Sequence, residues 1–386
     1  MQLSTDQKFA LDALLTWVDK PKGAFITLGG YAGTGKTTLI GLLRRMARKK
    51  DAKKKWAFVS FTGKASRVLG NSLLEQKAKF KGDYSGTIHS LIYSPIEDAR
   101  TQEIIGWEKK DDLKADVIVV DEASMVTREI WQDLLSFKVP IIAVGDHGQL
   151  PPVGTKFNLM EKPILKLEEI HRQAKDNPII QLSVEVRKSG TIPIQEYSKR
   201  VRKISRQDHE TQEVVEDLLR GYNSDTMVLC GFNRTRVELN KFIRNLLEIE
   251  SMEPTSGDRV ICLRNNHKKQ VFNGMVGTVN SIEGAGEINY LVEITFEDYD
   301  QFYKGEILKE QFNAQKPMNM GTDRKKTVAS DLFDFGYALT VHKAQGSQAH
   351  RVILFEERFP QMDDEMFRRW LYTGVTRAQE ELHVVG

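Results

Sequence analysis

One run of this chain has the spacing of a phosphate cradle: Gly30-Tyr31-Ala32-Gly33-Thr34-Gly35-Lys36-Thr37, a full fit to G-x-x-x-x-G-K-[ST]. Glycines let successive backbone N–H groups wrap around phosphate oxygens, and a helix starting there adds the positive end of its dipole. The expected nucleotide ligands are Gly30, Gly33, Thr34, Gly35, Lys36, Thr37 and Thr38. Lys36 would neutralise the β- and γ-phosphates, and the Thr37 hydroxyl would ligate Mg²⁺. A cradle alone hydrolyses nothing. It needs a carboxylate to position the metal, and the apolar run 117–120 leads directly into Asp121-Glu122. Asp121 suits the Mg²⁺, directly or through water, and Glu122 is placed to orient and deprotonate an attacking water. An acidic pair after a strand is ordinarily solvated turn chemistry; beside a phosphate cradle it becomes the expected hydrolytic site. A third run, 141–144, ends in Gly145-Asp146-His147-Gly148-Gln149, where the Gln149 amide is the candidate reporter of the γ-phosphate.

These groups need strands and helices to hold them. Residues 24–28 read as a short buried strand entering the cradle, and a helix from Thr37 presents Leu39, Ile40, Leu42, Leu43 and Met46 as its apolar side. Leu11, Leu14, Leu15 and Val18 repeat at helical spacing behind Ser4 or Thr5 as N-cap. Runs at 57–61, 117–120 and 141–144, separated by helical segments, predict a parallel sheet covered on both faces. The chain of 386 residues has room for two or three domains, and no apolar run approaches the ~18 residues of a membrane span. No signal-peptide pattern opens it, and Cys230 and Cys262 are too few for a disulfide framework or a zinc cluster, which predicts a cytoplasmic protein. A net charge of +3 says little about partners. The cluster Arg44, Arg45, Arg48, Lys49, Lys50 and Lys53–55 reads as a solvated helix face running into a loop.

The three segments G-G-Y-A-G-T-G-K-T, D-E-A-S-M and G-D-H-G-Q-L-P-P-V resemble motifs I, II and III of superfamily-1 helicases. In the same order, Leu3-Ser4-Thr5-Asp6-Gln7 resembles the Q-motif, and Leu167-Glu168-Glu169-Ile170-His171-Arg172-Gln173 resembles motif IV. Motifs V and VI are matched by Ala338–Ser347 and Leu371–Ala378, so the resemblance runs through the whole chain. It implies that Gln7 reads the adenine edge, that Gly346 belongs to the nucleotide site, and that Arg172 and Arg377 reach the γ-phosphate from a second core. For His171 a packed side chain at a helix start is an equal reading. Phe61–Ser66, Thr87–Ser90 and Thr340–Gly346 are similar to motifs Ia, Ib and V of the RecD/Dda group, the B branch of the superfamily. That implies DNA contacts from Thr62, Lys64, His89, Thr340, His342 and Lys343, and 5′→3′ movement on single-stranded DNA.

The expected fold is α/β: two RecA-like parallel-sheet cores, residues 1–162 and 163–386, with ATP and Mg²⁺ in the cleft between them. The group also carries a hairpin, or pin, in the first core and an SH3-like β-barrel in the second. Here two apolar arms around a polar tip at about 91–113 suit the pin, with Trp107 or Tyr93 buttressing it or stacking on a base. Residues about 262–332, with Asn273-Gly274 as a tight turn, suit the barrel. The short 321–330 stretch leaves little room for an accessory tower, and no long N-terminal domain is present, so a small free-standing motor is expected. It would act as a monomer on single-stranded and fork DNA, with single-strand-binding protein or replisome contacts, in replication, repair or recombination. Two other functions compete: a translocase that strips proteins or remodels junctions without efficient unwinding, and a non-motor ATP-dependent nucleic-acid-binding switch.

Overall fold

The computed structural model describes residues 3–97, 104–151, 157–170, 176–208, 210–264, 266, 269, 271, 273–297, 302–316, 318 and 330–386. Ser4 caps the first helix, α1 (Thr5–Asp19), in a capping box: its hydroxyl accepts from the Gln7 N–H while the Gln7 side chain accepts from Ser4 N–H. Leu11, Leu14, Leu15 and Val18 of α1 are buried, as their spacing predicts. There follow β1 (Phe25–Gly30), α2 (Lys36–Lys50), β2 (Trp56–Ser60), α3 (Gly63–Glu75), β3 (Tyr84–Thr87) and the short α4 (Ile88–Ile92). Next come β4 (Tyr93–Glu97), β5 (Ile104–Lys109), β6 (Val117–Asp121), α5 (Arg128–Ser136), β7 (Ile141–Gly145) and β8 (Leu165–Leu167).

Six of these strands form one sheet in the order β3-β2-β6-β7-β1-β8, and every pairing is parallel. Successive side chains of a strand leave opposite faces. Phe58, Val119 and Ile142 therefore pack under α1, α2 and α3, whereas Val59, Val120 and Ala143 pack on the other side with Trp131 of α5. Because β6, β7 and β1 are adjacent and parallel, their C-terminal ends, Asp121, Gly145 and Gly30, open onto one edge. This is where open parallel sheets bind ligands.

The second core starts with α6 (Pro178–Ser189), β9 (Glu196–Ser198), β10 (Val201–Ile204), α7 (Thr211–Arg220), β11 (Thr226–Cys230) and α8 (Asn233–Leu246). It then detours through β12 (Arg259–Cys262), β13 (Val276–Ala285), β14 (Asn289–Phe296), β15 (Phe302–Leu308) and β16 (Phe333–Phe335). It resumes with β17 (Ala338–Thr340), β18 (Ala349–Phe355), α9 (Asp364–Val375) and β19 (Ala378–Val385). Its sheet, β17-β11-β18-β19-β10-β9, is parallel except for the outermost β9. The detour is an antiparallel five-stranded sheet, β15-β14-β13-β12-β16, with a core of its own around Ile294, Tyr303 and Phe333.

Three arginines hold that insert to the core it leaves. Arg236 of α8 pairs with Asp334 at 2.8 Å, Arg244 clasps Asp258 at 2.8 and 3.0 Å, and Arg259 of β12 donates to Tyr222 OH at 2.6 Å and Thr226 O at 3.3 Å. Arg244 also donates to the carbonyls of Ser251 and Glu253, so a buried charge that would otherwise be costly has its donors satisfied.

Several expectations shift. The first sheet takes its last strand at Leu165–Leu167, beyond the expected division at 162/163. Leu165 and Leu167 bury against the sheet while Lys166 faces out, a three-residue alternation too short to read as a strand from sequence. The insert sheet spans Arg259–Phe335, slightly wider than 262–332. Asn273-Gly274 is not a hairpin tip: Gly274 N–H already bonds Cys262 O, and beyond it the chain closes a longer arm through the Asn266–Val271 bridge. The apolar arms at 93–109 do form an antiparallel hairpin, β4 with β5. Met46 is 36 % exposed rather than packed with Leu39, Ile40 and Leu43. Arg44 is not on the solvated face either. It is fully buried, bonded through two nitrogens to Asp83 at 2.9 Å each, and lies over Trp56 and Phe80. The segment 321–329 lies outside the described residues.

Candidate functional site

The cradle leaves β1 at Gly30 and turns into α2 through Gly33 (φ +77°) and Gly35 (φ +76°). Both lie in the left-handed region, which glycine enters without steric cost. Thr34 is buried, and its hydroxyl donates to Tyr31 O at 2.8 Å. Lys36 Nζ lies inside the loop, donating to Gly30 O (2.7 Å) and Tyr31 O (3.0 Å). Thr37 and Thr38 occupy the first turn of α2. Gln7 is buried behind the loop with its amide spent on protein: Nε2 donates to Thr34 O at 2.9 Å and Oε1 accepts from Ser4 N–H. Gln7 thus braces the cradle, whereas the resemblance has it reading a base.

At the neighbouring strand ends, Asp121 closes β6, and one of its oxygens accepts from Glu122 N–H at 3.0 Å. Burial, and then the Glu122 carboxylate, push the Asp121 pKa up. Glu122 has φ +51°, a strained position for a residue with a side chain, and its Oε2 is buried with no hydrogen-bond partner. Strain of this kind concentrates at functional sites. Two crowded carboxylates at this edge, with the Thr37 hydroxyl in the first turn of α2, make a hard-oxygen donor set. It fits a magnesium ion that takes its remaining ligands from phosphates and water. Among the described residues there is no group of three or more His, Cys, Asp or Glu side chains that could hold a metal ion. Gln149, 5 % exposed, donates weakly to Asp146 (3.4 Å) and leaves Oε1 buried and unpartnered.

The second core faces this edge with α9 and the turn after it. Arg377 is 2 % exposed, and its guanidinium donates to Thr373 O (3.0 Å), Ser347 O (3.1 Å) and Thr376 Oγ1 (3.3 Å). None of these partners is a carboxylate, and the negative charges that act on it are those of Glu122 and Asp146 in the first core. Arg172, with His171, lies outside the described residues. Gly346 (φ +74°) packs against the first core: a Cβ there would fall 2.5 Å from Met125 Sδ. The structure brings Gly346 to Met125 and Thr62.

A groove of about 540 Å³ runs between the cores beside this cleft. It gathers Thr62 and His89 from the first core with Thr340, His342 and Lys343 from the second, five of the seven residues expected to touch DNA. Thr62 caps α3, and Lys343 bonds Asn273 while burial pushes its pKa down to about 8. A desolvated cation of this sort gains from an anionic ligand. The Lys64 side chain lies outside the described residues, and Trp107 is on the hairpin, opposite Pro95 and apart from the groove lining. Rings connect the two regions: Phe61, His89 and Tyr93 follow one another at 6.4 and 5.6 Å, and Tyr93 OH donates to Asp133.

Sequence reasoning missed the groups that lock the two cores together. Tyr372, Thr373 and Arg369 of α9 all reach the segment 146–150 that follows β7, and Arg187 of α6 stacks 3.5 Å over the ring of Tyr31 in the cradle. An aromatic residue inside the phosphate loop was the one sequence signal for such a contact.

A phosphate cradle at the edge of one parallel core, faced by arginine from a second, defines a two-core P-loop nucleotide-hydrolase architecture. A family model described as an AAA domain matches residues 2–209, and one for a UvrD-like helicase C-terminal domain matches residues 335–385. The chain belongs to the superfamily-1 B helicases, the RecD/Dda-like branch. It is 28 % identical over 407 residues to the ATP-dependent RecD2 DNA helicase of Deinococcus radiodurans, covering 100 % of this chain and 49 % of that protein. With the ATP-dependent DNA helicase dda of Enterobacteria phage T4 it shares 24 % identity, covering 99 % of both. It thus spans about half the length of the RecD2 protein and nearly all of Dda. Among solved structures, a Bacteroides Pif1 bound to ssDNA superposes with a TM-score of 0.51 at 16 % identity, over 100 % of this chain and 92 % of that one, a likeness of fold. Among the described residues no helix is long and apolar enough to cross a membrane.

Proposed function

We propose that this chain is an ATP-driven motor that moves 5′→3′ along single-stranded DNA and unwinds duplex. The observation that supports it most is Arg377, a buried cation with no carboxylate partner, contributed by one core and felt by Glu122 of the other. An arginine so placed is useful when the cleft closes on a transferring phosphoryl group. In this reading Lys36 and the loop amides bind the phosphates, Glu122 orients and deprotonates water, and Gln149 reports the γ-phosphate. Thr37 and Asp121 would hold Mg²⁺, which when bound neutralises charge on the β- and γ-phosphate oxygens. Arg172 and Arg377 enter on closure and retreat after hydrolysis. Thr62, Lys64, His89, Thr340, His342 and Lys343 grip and release the DNA backbone in step with that cycle. Such contacts do not read sequence.

We take the first core to run through Leu167 and the second from there onward, each RecA-like, with the β4–β5 hairpin as the pin and the antiparallel sheet as the SH3-like insert. The motor works as a monomer on single-stranded and fork DNA. Names among its relatives, RecD2 DNA helicase and Dda DNA helicase, agree with this reading. Turnover of ATP should rise severalfold on adding single-stranded DNA, and a partial duplex with a 5′ tail should be unwound while one with a 3′ tail is not. Turnover indifferent to DNA would indicate a nucleotide-dependent binding switch. Stimulation without strand displacement would indicate a translocase, and a preference for 3′ tails would reverse the polarity.

The hairpin makes a separate claim. Its base is held by Tyr93, through Asp133 and the His89 ring, and the Trp107 indole Nε1 is buried without a hydrogen-bond partner. Stacking on a base at the fork is worth ~1–3 kcal/mol and needs no sequence preference. Replacing residues 95–104 with a short glycine-containing turn should leave DNA-stimulated ATPase intact and impair unwinding. Equal unwinding rates in variant and parent would mean that the strands part elsewhere.

A further inference from the structure

The structure assigns to Tyr372 a positioning role: its hydroxyl ties the phosphate loop to the end of β7 and so sets the register of Arg377 against the nucleotide edge. This rests on the hydrolytic reading above. Tyr372 belongs to α9 in the second core and is fully buried. Its hydroxyl accepts from Ala32 N–H of the phosphate loop at 2.8 Å and donates to Asp146 Oδ2 at 2.7 Å. Both partners lie in the other core. Asp146 is already shared, taking Gly148 N–H on Oδ1 (2.9 Å) and the Gln149 amide on Oδ2 (3.4 Å), so the phenol and the candidate γ-phosphate reporter lean on one carboxylate.

The fit around the ring is close. A Cβ on Gly148 would fall 2.9 Å from Tyr31 Cε1 and 3.1 Å from Tyr372 Cε1, so motifs I, III and VI meet here with no space for a side chain. Next along α9, Thr373 Oγ1 accepts from Leu150 N–H at 3.0 Å, while Gln345 Nε2 donates to Leu150 O at 2.7 Å. The helix is therefore fixed to the first core one turn before the chain delivers Arg377, whose Nε is itself anchored on Thr373 O. Burial and Asp146 raise the phenol pKa well above its ordinary value, which keeps the hydroxyl a donor to that carboxylate. A phenylalanine would fill the same volume; only the two bonds across the cleft distinguish tyrosine at this position.

The test is Tyr372→Phe in the full chain, measured alone and combined with Arg377→Lys. Misplacement of a charge by an ångström or less costs about 10- to 100-fold in rate. Stimulated kcat should fall by about that factor while KM for ATP stays within about twofold, since Lys36 and the rest of the cradle keep their places. In the Arg377→Lys background the same change should cost little more, because the register it protects is already lost. A kcat like the parent's overturns the inference. So does a loss that multiplies fully in the Arg377→Lys background, the sign of an independent structural defect. If Tyr372→Phe does not fold, Asp146→Asn reads the same link from its other end, in the same cycle and with the same expectations. A parent without DNA-stimulated turnover would remove the hydrolytic reading itself; a stimulated parent with an unaffected phenylalanine variant removes this inference alone.

Discussion

Lys36→Ala and Glu122→Gln should each lower DNA-stimulated ATP turnover by at least ~100-fold, or ~2.7 kcal/mol of transition-state stabilisation. The reasons differ. Lys36 Nζ already sits at the centre of the cradle on two loop carbonyls, and alanine there leaves the phosphates without their fixed positive charge. Glutamine at 122 keeps size and backbone but cannot take a proton. The Glu122 Oε2 that now has no partner is the oxygen this account assigns to water. Binding should separate the two variants. Glu122→Gln should retain nucleotide, since Thr37 and Asp121 remain and the carboxylate that crowds Asp121 is gone. Lys36→Ala should bind nucleotide more weakly. Titration with a fluorescent ATP analogue alongside steady-state turnover checks both statements, and near-normal turnover in either variant sinks the assignment.

Arg377→Ala should abolish nearly all stimulated turnover, by ~10³-fold or more if it acts as an arginine finger, while nucleotide affinity stays within a fewfold of the parent. The charge matters as the transition state forms, so the ground-state complex loses little. One structural effect must be separated. The guanidinium donates to Thr373 O, Ser347 O and Thr376 Oγ1, and alanine removes these three bonds inside the protein. Arg377→Lys, which keeps a cation and some of those bonds, serves as the control: melting temperature should recover more than turnover does. Parallel losses of affinity and rate would assign Arg377 to ground-state binding or folding instead.

What could be read from the sequence was what is locally encoded. The cradle, the Asp121-Glu122 pair and the strand before each are contiguous, and chemistry dictates their order, so their residues, strand type and shared edge were all legible. The β4–β5 hairpin was legible too, from apolar arms around a polar tip. Partnerships across long separations were not. Arg44 looks like one more base in a basic helix until Asp83, Trp56 and Phe80 surround it. Gln7 could be placed near the nucleotide, but not its amide on Thr34 O, because that bond depends on how α1 docks against the loop. Tyr372 sat inside a quoted motif without a role, since its two partners lie 340 and 226 residues away. The three-residue β8 carries too little alternation to announce itself, so nothing in the sequence marks Leu165–Leu167 as a strand of the first sheet.

The arginines that fasten the antiparallel insert have a mechanical meaning. Its last strand, β16, runs almost directly into β17, and α8 grips both: Arg236 holds Asp334, and Asn240 Oδ1 accepts from Ala338 N–H at 2.8 Å. With Arg244 on Asp258 at the other end of the same helix, the insert is clamped both where it enters and where it leaves the core. Clamps at both ends would make it a stiff lever arm. A rotation of the second core would then sweep the insert through the same angle, and a load on the insert would arrive as torque at Thr340 and, just beyond it, at His342 and Lys343, which line the groove.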